Sequence, residues 1–470
     1  MKEFLSPEIF KIISRVAGKE KIQTYVIGGF VRDALLNRVQ TKMDIDIVVL
    51  GNGIDMAKKV AFEIDPKIKV FVFKNFGTAM FKYKGQDIEF VGARKESYRK
   101  DSRKPIVEDG SLEDDQKRRD FTINAMAIRL NSENFGDLID PFSGKSDLNK
   151  KLIRTPLDPG KTFSDDPLRM IRAIRFASQL NFSIGEQTLN SISNNCDRIK
   201  IVSQERIILE INKIVLTQKP SVGFKLLEET GLLNIIFPEL DQMKGVETVN
   251  GKQHKDNFLH TLEVLDKISK NTENLYLRWA ALLHDIAKPR TKKYMKDQGW
   301  TFHGHEYFGA KMVPQIFRTL KLPLNEKMKY VQKMVLLHLR PIVLSQEIVT
   351  DSAIRRLLYD AGDDVDDLMT LCEADITSKN DSKVQKYLSN FKVVRQKLKD
   401  LEARDKIRNF QPPISGDVII HTFNMKPSSL VGEIKSAIKE AILDGVIGNN
   451  YDEAYKFMIK KARELGLEPE

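Results

Sequence analysis

Short apolar runs alternate with turn residues up to residue 150, and beyond it apolar side chains recur every three or four positions. Residues 6–18 carry an amphipathic spacing and predict a helix. A brief apolar strand, 25–28, runs into the pair Gly28-Gly29, and 30–36 return to helical spacing. Runs at 44–50, 70–73, 78–83 and 87–91 predict further short strands, and 122–130 predict the strand that closes the sheet. The polar stretch 92–115 between them predicts a mobile loop. Pro156, Pro159 and Gly160 punctuate the change of period at the end of the head. After it the pattern predicts helices without strands. Gly251-Lys252 marks a second boundary, and Pro412-Pro413 breaks the helices near the C-terminus. The pattern reads as a small α/β head on a long helical body.

Composition narrows the classes. The chain has 470 residues, of which 41% are hydrophobic and 30% charged, enough for a sizeable core and unlike a disordered chain. Lys and Arg exceed Asp and Glu by 76 − 65, a net charge of +11 that favours a polyanionic partner. Cys196 and Cys372 are the only cysteines, so neither a disulfide framework nor a Cys-type zinc site is expected. The N-terminal residues do not read as a signal peptide, and no run of ~18 apolar residues is present to span a membrane. An intracellular, cytoplasmic protein is expected.

The head carries the first candidate chemistry. Asp44 and Asp46 alternate with Ile45 and Ile47, so in a strand both carboxylates leave one face. Side by side they repel each other, and a hard divalent cation such as Mg²⁺ relieves that repulsion. An isolated Asp-x-Asp is as readily a solvated strand edge. Upstream, however, stands Gly28-Gly29-Phe30-Val31-Arg32-Asp33. Gly28 and Gly29 permit close backbone approach at a helix N-terminus that favours anions, and Arg32 could hold phosphate oxygens. Strand, glycine turn, helix and Asp-x-Asp together suit phosphoryl or nucleotidyl transfer. Asp87-Ile88-Glu89 repeats the period-two pattern on a neighbouring run, which makes Glu89 a third candidate carboxylate.

These segments resemble the polymerase-β-type nucleotidyltransferases. More narrowly they resemble the class II (bacterial-type) CCA-adding tRNA nucleotidyltransferase and poly(A) polymerase family. Further blocks follow in that family's order: Arg118-Arg119-Asp120-Phe121-Thr122-Ile123-Asn124-Ala125, then Asp140-Pro141 with Gly144-Lys145-Ser146-Asp147-Leu148, then Asp165-Asp166-Pro167-Leu168-Arg169. The resemblance covers residues 20–240. It implies that Arg119 and Asp120 select the ribose, and that Asp166 and Arg169, sharing a helix face, select the base. Cytosine and adenine each place an amine donor beside a ring acceptor, complementary to one carboxylate and one guanidinium. The family usually has Glu where this chain has Asp165, which leaves the role of Asp165 open. Without the resemblance, Arg119-Asp120 is equally a salt-bridged strand start, and Asp166 with Arg169 an intrahelical ion pair.

A second constellation lies in the helical body. Most of the seven histidines fall between 254 and 338. His284-Asp285 sits within an Ala- and Leu-rich run, and a buried aspartate needs a partner. Imidazole and carboxylate without sulfur suit Mn, Fe, Co, Ni or Mg as the divalent metal. This stretch resembles the HD superfamily of metal-dependent phosphohydrolases. The resemblance implies His260, His284, Asp285 and Asp375 as ligands, with His305 and His338 at the extra positions and Lys288 as a phosphate contact. Basic clusters at 94–104 and 383–408 are further candidates for RNA backbone contact, whereas 351–375 is acidic.

The resulting expectation is an α+β fold: a nucleotidyltransferase head with a mixed sheet over 1–150, then an elongated helical body. Within that body 151–250 serve base selection and RNA binding, 251–380 form the HD domain, and 381–470 a helical tail that contacts tRNA. The function expected is template-independent addition of C and A from CTP and ATP to the tRNA 3′ end. Mg²⁺ is expected in the head and a divalent metal in the HD domain, where phosphohydrolase activity is the companion expectation. The alternatives are a poly(A) polymerase or a CC-adding or A-adding enzyme of the same fold, and, from another class, an HD phosphohydrolase with a regulatory nucleotide-binding head.

Overall fold

The computed structural model describes residues 1–38, 44–74, 77–99, 102–344, 350–377, 380–405, 407–408 and 410–469. The chain divides into two compact units, Met1–Ile236 and Phe237–Glu470.

The strands of the first unit, in chain order, are β1 Thr24–Ile27, β2 Ile45–Val49, β3 Phe71–Phe73, β4 Thr78–Tyr83, β5 Gln86–Gly92, β6 Arg94–Arg99, β7 Ser102–Asp109, β8 Ala127–Arg129 and β9 Leu138–Ile139. Seven of them form one mixed sheet in the order β3-β4-β5-β2-β1-β8-β9. β2 and β5 run parallel, and the other neighbours are antiparallel. The centre of the sheet is apolar: every residue of β1 is buried, as are Ile45 and Ile47 of β2. Asp46 lies on the opposite face, as a period of two requires. A parallel pair needs a crossover, and the helix Gly53–Ile64 begins it. Asn52 caps that helix, its side-chain oxygen accepting from Ile54 N at 3.0 Å and Asp55 N at 3.2 Å. The helix Glu8–Glu20 presents Ile9, Phe10, Ile12, Ile13, Val16 and Ala17 as one buried stripe.

Two expectations about the head are corrected. The stretch 92–115 is not a loop: β6 and β7 form a separate hairpin, and Leu112–Lys117 is a helix. The hairpin has no apolar alternation to betray it, yet Arg94 lies opposite Asp109 and Lys95 opposite Glu108, so opposite charges face each other across the ladder. Of the basic cluster there, Lys100 and Asp101 lie outside the described residues. The stretch 122–130 is not one strand either. Thr122–Ala125 is a helical turn, and only Ala127–Arg129 joins the sheet. Thr122 Oγ1 donates to Asp147 Oδ2 at 2.6 Å, a polar anchor that holds this segment in a turn.

Beyond the sheet the first unit is helical: Pro159–Asp165, Leu168–Leu180, Glu186–Asn195, Gln204–Val215, Pro220–Glu229 and Leu232–Ile236. The second unit is also mainly helical, from Asn257–Ile268 to Tyr451–Glu464. Strands do not vanish altogether. Short ladders join Leu152–Ile153 to Ser183–Ile184, Thr248–Val249 to Lys252–Gln253, and Lys293–Met295 to Gly299–Thr301. Pro412 and Pro413 separate the helix Asp381–Asp405 from Gly416–Thr422, as expected. Among the described residues no helix is long and apolar enough to cross a membrane.

Candidate active site and metal centre

In the head, β1 ends at Ile27 and the helix Gly29–Leu35 begins behind Gly28, whose φ is +80°. A side chain at Gly28 would be strained in that region, and its Cβ would stand 3.0 Å from Arg119 Nη1 and 3.3 Å from Asp46 Oδ2. The glycine turn is therefore packed directly against Asp46 and Arg119. Asp46 is opposite Ile27 on β1 and opposite Glu89 on β5, so Asp46 and Glu89 share one face of the sheet. Asp44 precedes β2 and is exposed.

Burial pushes the Asp46 carboxyl above its ordinary value; Arg119 pulls it down, while Asp44 and Asp115 push it further up. Glu89 is raised too, by burial and then by the Asp46 charge. Carboxylates that repel each other at a partly dehydrated edge are what a divalent cation relieves, and an all-oxygen set suits a hard one. The head carboxylates do not converge as tightly as the histidine groups described below, whose donor atoms lie within 4.8 Å of one another.

Arg32 departs from expectation. It is 6% exposed and spent on its neighbours: Nε and Nη2 donate to the two Asp33 oxygens at 2.9 and 2.8 Å, and Nη1 donates to Asn124 Oδ1 at 2.8 Å. Its guanidinium also lies over the Phe176 ring, 5.0 Å from the centroid. Arg32 is a buried clamp holding the glycine-turn helix to Asn124 and Phe176, rather than an open phosphate ligand.

Asp120 and Arg119 do not enter a strand; they lead into the turn Thr122–Ala125. Asp120 Oδ1 accepts from Phe121 N at 2.9 Å and Asn124 Nδ2 at 3.0 Å, and Oδ2 accepts from Arg172 Nε at 2.8 Å. Burial works against its charge, but Arg172 and the Asn124 hydrogen bond outweigh it and lower the carboxyl to about 2. Asp115, wholly buried, holds Arg119 Nε at 3.1 Å.

Asp166 and Arg169 do not share a helix, because Pro167 starts the next one. Asp166 has extended backbone angles and its Oδ1 accepts from Leu168 N at 3.3 Å, while Arg169 stands in the first turn of Leu168–Leu180. Arg169 N donates to Asp166 O at 3.0 Å, but the two side chains do not pair with each other. Arg169 Nη2 donates to Arg118 O at 2.7 Å, and Asp166 Oδ2 lies 4.0 Å from Arg206 Nη2. Both side chains line one cleft of about 380 Å³ together with Arg119, Asp120, Arg172 and Arg206. A carboxylate and a guanidinium presented separately to one cleft can each meet a ligand, which an internal ion pair could not. Asp165, the departure from the family pattern, is raised by burial.

In the second unit, His260 lies on Asn257–Ile268, His284 and Asp285 follow Leu275–Leu283, His305 opens His305–Thr319, His338 follows Glu326–Leu337, and Asp375 ends Val365–Asp375. The structure brings all six together. His260 Nε2 is 2.9 Å from Asp375 Oδ1 and 3.4 Å from Asp285 Oδ2. His284 Nε2 is 3.2 Å from Asp285 Oδ2, and His305 Nε2 is 3.2 Å from Asp285 Oδ1. His338 Nε2 is 3.9 Å from the latter oxygen.

The tautomers are fixed from behind. Nδ1 of His284, His305 and His338 donates to the carbonyls of Ala281, Phe302 and Val335, each at 2.7 Å. His260 Nδ1 bonds the Thr377 hydroxyl at 2.8 Å. In His284, His305 and His338 it is thus Nε2 that is turned inward, the arrangement metal-ligating histidines adopt. The Nε2 atoms of His284, His305 and His338 are buried without a hydrogen-bond partner. Burial would lower His284, but the Asp285 and Asp375 charges raise it to about 10. Burial and then neighbouring His284 lower His338 to about 4. The buried nitrogen and carboxylate donors, within 4.8 Å of one another in each group, fit a divalent metal ion. Lys288 Nζ donates to Asp285 Oδ2 at 2.6 Å, so its head group stands at the rim of this centre.

Residues 24–154 match the family described as the poly A polymerase head domain, 181–244 the probable RNA- and SrmB-binding site of polymerase A, and 257–380 the HD domain. The A-adding tRNA nucleotidyltransferase of Deinococcus radiodurans is 32% identical over 363 residues, covering 75% of this chain and 80% of that protein. The chain belongs to the tRNA nucleotidyltransferase family. Another relative, the multifunctional CCA protein of Shewanella frigidimarina, is 32% identical over 318 residues, 64% of this chain and 70% of that protein. The fold of this nucleotidyltransferase also matches the CCA-adding enzyme of Bacillus stearothermophilus in complex with CTP, at a TM-score of 0.69 and 23% identity over 98% of this chain and 99% of that one.

The sequence did not single out Arg172, Asn124, Asp115 or Thr377. Their signal is tertiary: each is a common polar residue until the fold sets it against Asp120, Arg32, Arg119 or His260.

Proposed function

We propose that this chain adds C and A, from CTP and ATP, to the 3′ end of tRNA and releases pyrophosphate. The observation that carries the reading is the cleft in which Asp166 and Arg169 stand unpaired with each other, beside Arg119 and Asp120. Asp166 accepts from the exocyclic amine of cytosine or adenine, and Arg169 donates to the adjacent ring nitrogen. Asp120, held by Arg172 and Asn124, fixes the ribose side of the cleft. The 3′-hydroxyl oxygen of the tRNA bonds to the α-phosphorus, the bond from that phosphorus to the oxygen bridging the β-phosphate breaks, pyrophosphate leaves, and the hydroxyl proton passes to solvent water. Asp44 and Asp46 would hold Mg²⁺, with Glu89 on the same face. When bound, Mg²⁺ lowers the pKa of the attacking hydroxyl and offsets charge on the departing pyrophosphate. Gly28 and Gly29 let the backbone approach the triphosphate.

In the second unit, His260, His284, Asp285 and Asp375 would hold a divalent metal, with His305 and His338 completing the set. When bound, that ion supplies an activated water for phosphate-ester hydrolysis. Lys288 offers a cation to the phosphate.

A second reading, addition of the final A alone, is favoured by the A-adding name of the Deinococcus relative. One experiment separates them. The protein is incubated with Mg²⁺, single nucleoside triphosphates and tRNA lacking its last three, or only its last, nucleotide. CTP incorporation on the first substrate and ATP incorporation on the second support C and A addition. ATP incorporation on the second alone supports A-addition. No incorporation on either refutes both.

A further inference from the structure

The strand register of the head sets one row of side chains on one face of the sheet. Asp46 lies opposite Glu89, Glu89 opposite Met80, and Met80 opposite Phe71. Phe73, two residues further along β3, leaves the same face. The row opens as it runs outward from the carboxylates. Glu89 is exposed, Met80 is half-buried, and Phe71 and Phe73 are each 44% exposed at the edge strand. Two large rings left in water on the face that carries Asp46 and Glu89 have no part in the reaction described above.

Their place relative to the nucleotide cleft gives them one. Arg119, which lines that cleft with Asp120, Asp166 and Arg169, stands against the glycine turn that ends β1. β1 and β5 flank β2 on opposite sides. The incoming nucleotide therefore occupies the β1 flank of Asp46, and the open ground for an acceptor strand is the β5, β4 and β3 flank. Three inter-strand steps of about 4.8 Å separate Asp46 from Phe71, roughly 14 Å in all. A single strand whose 3′-hydroxyl stands at Asp46 carries the bases behind it over that ground. Lys69 Nζ is 5.6 Å from the Phe71 ring centroid, and Lys74, next to Phe73, is exposed. Exposed rings with cations beside them suit bases and the phosphates that join them.

We propose that Phe71 and Phe73 form a stacking platform for the unpaired nucleotides that precede the 3′-hydroxyl of the RNA acceptor. The proposal rests on the reading of the head as a nucleotidyltransferase acting on tRNA. Stacking tolerates any base, because every base has a π-face, and so suits an end whose sequence changes as nucleotides are added. The other candidate occupant of a sheet edge, a second copy of the chain, is disfavoured by Lys69 and Lys74, since edge lysines repel their own copies.

The test uses the full-length protein and tRNA lacking its last nucleotide, with 2-aminopurine at either of the two unpaired positions behind the terminal nucleotide. Fluorescence is read without Mg²⁺ or nucleoside triphosphate, so no turnover is needed. The platform predicts added quenching when wild type binds, at one position or both. Phe71→Leu with Phe73→Leu keeps apolar bulk but removes the rings; it should lose that quenching and bind the tRNA roughly tenfold more weakly. Phe71→Tyr with Phe73→Tyr should restore both. In ATP incorporation the leucine variant should raise KM for tRNA by a similar factor and leave KM for ATP unchanged. Retained quenching and tRNA affinity in the leucine variant, or equal rises in both KM values, would overturn the platform. A wild-type dimer that becomes monomeric in the leucine variant with tRNA affinity unchanged would also overturn it and assign the edge to a second copy. A wild type that quenches as expected but incorporates no nucleotide would support the platform and overturn the transferase reading instead.

Discussion

Replacing Asp120 by asparagine removes one charge from a network whose members the structure names. In the wild-type protein Asp120 accepts from Phe121 N, Asn124 Nδ2 and Arg172 Nε at 2.9, 3.0 and 2.8 Å. The introduced amide would offer one oxygen where two now accept, and its NH₂ would face either the Asn124 donor or the Arg172 guanidinium. The carboxyl sits at about 2 in the folded protein, against an ordinary value of 3.8. That difference corresponds to about 2 kcal/mol of folding free energy at neutral pH. Because the folded value is depressed, this stability is fully present above the ordinary carboxylate range and is lost as pH falls through about 2. At pH 7 the amides of Leu168–Leu180, which carries Arg172, should exchange with deuterium roughly thirtyfold faster in Asp120→Asn, if opening follows this free energy. By pH 3 the free-energy gap between wild type and variant should shrink to about half, since the unfolded chain's carboxyl, at its ordinary value of 3.8, is then mostly protonated while the folded one is still charged. Hydrogen exchange with mass spectrometry, corrected for intrinsic rates at each pH, measures both. Equal exchange at pH 7, or a gap that widens toward pH 3, would show that the Asp120–Arg172 contact carries no such stability.

Three other perturbations have definite outcomes. Asp46→Ala should reduce nucleotide addition by several orders of magnitude while tRNA binding, read by filter retention, survives; near-wild-type turnover with Mg²⁺ would exclude Asp46 as a metal clamp. Gly28→Ala forces a side chain into φ +80°, 3.0 Å from Arg119 Nη1, and should cost about 1–2 kcal/mol of stability together with most of the addition rate; full activity would show that the turn need not press against Arg119 and Asp46. His284→Ala with Asp285→Ala should abolish high-affinity Mn²⁺ binding and leave CTP and ATP incorporation within a few-fold of wild type, as the two constellations lie in separate compact units; loss of incorporation in a folded variant would contradict their independence.

The parts of the fold that were legible in the sequence are those where local pattern and burial agree. Asp44-Ile45-Asp46 reads as a strand because Ile45 and Ile47 enter the core while Asp46 faces away. His284-Asp285 stands out because charge in an Ala- and Leu-rich run demands partners, and the fold supplies five of them in His260, His305, His338, Lys288 and adjacent His284. The hairpin of β6 and β7 was invisible because cross-strand charge pairing leaves no apolar alternation. The Thr122–Ala125 turn was masked by the strand formers Thr122 and Ile123, and the Asp147 anchor that holds it is tertiary. Arg32 illustrates a different gap. A guanidinium after a glycine turn suggests an anion ligand, but Asp33 beside it and Asn124 ninety-two residues on claim it first. The helix expected to carry both Asp166 and Arg169 is interrupted: Pro167 takes Asp166 off it, and the two side chains line one cleft instead.

The central claim is that Asp166 and Arg169 choose the base. Single-turnover incorporation of CTP, ATP, UTP and GTP on trimmed tRNA, by wild type and by Asp166→Ala, tests it directly. In the wild-type cleft UTP and GTP would set a carbonyl against Asp166 and an N–H against Arg169, at about 1–3 kcal/mol per mismatched contact. Two such contacts give a preference for CTP and ATP on the order of a hundredfold. Asp166→Ala should lose efficiency with CTP and ATP and narrow that lead. A variant that keeps the wild-type ratio among the four nucleotides would place base selection elsewhere in the protein.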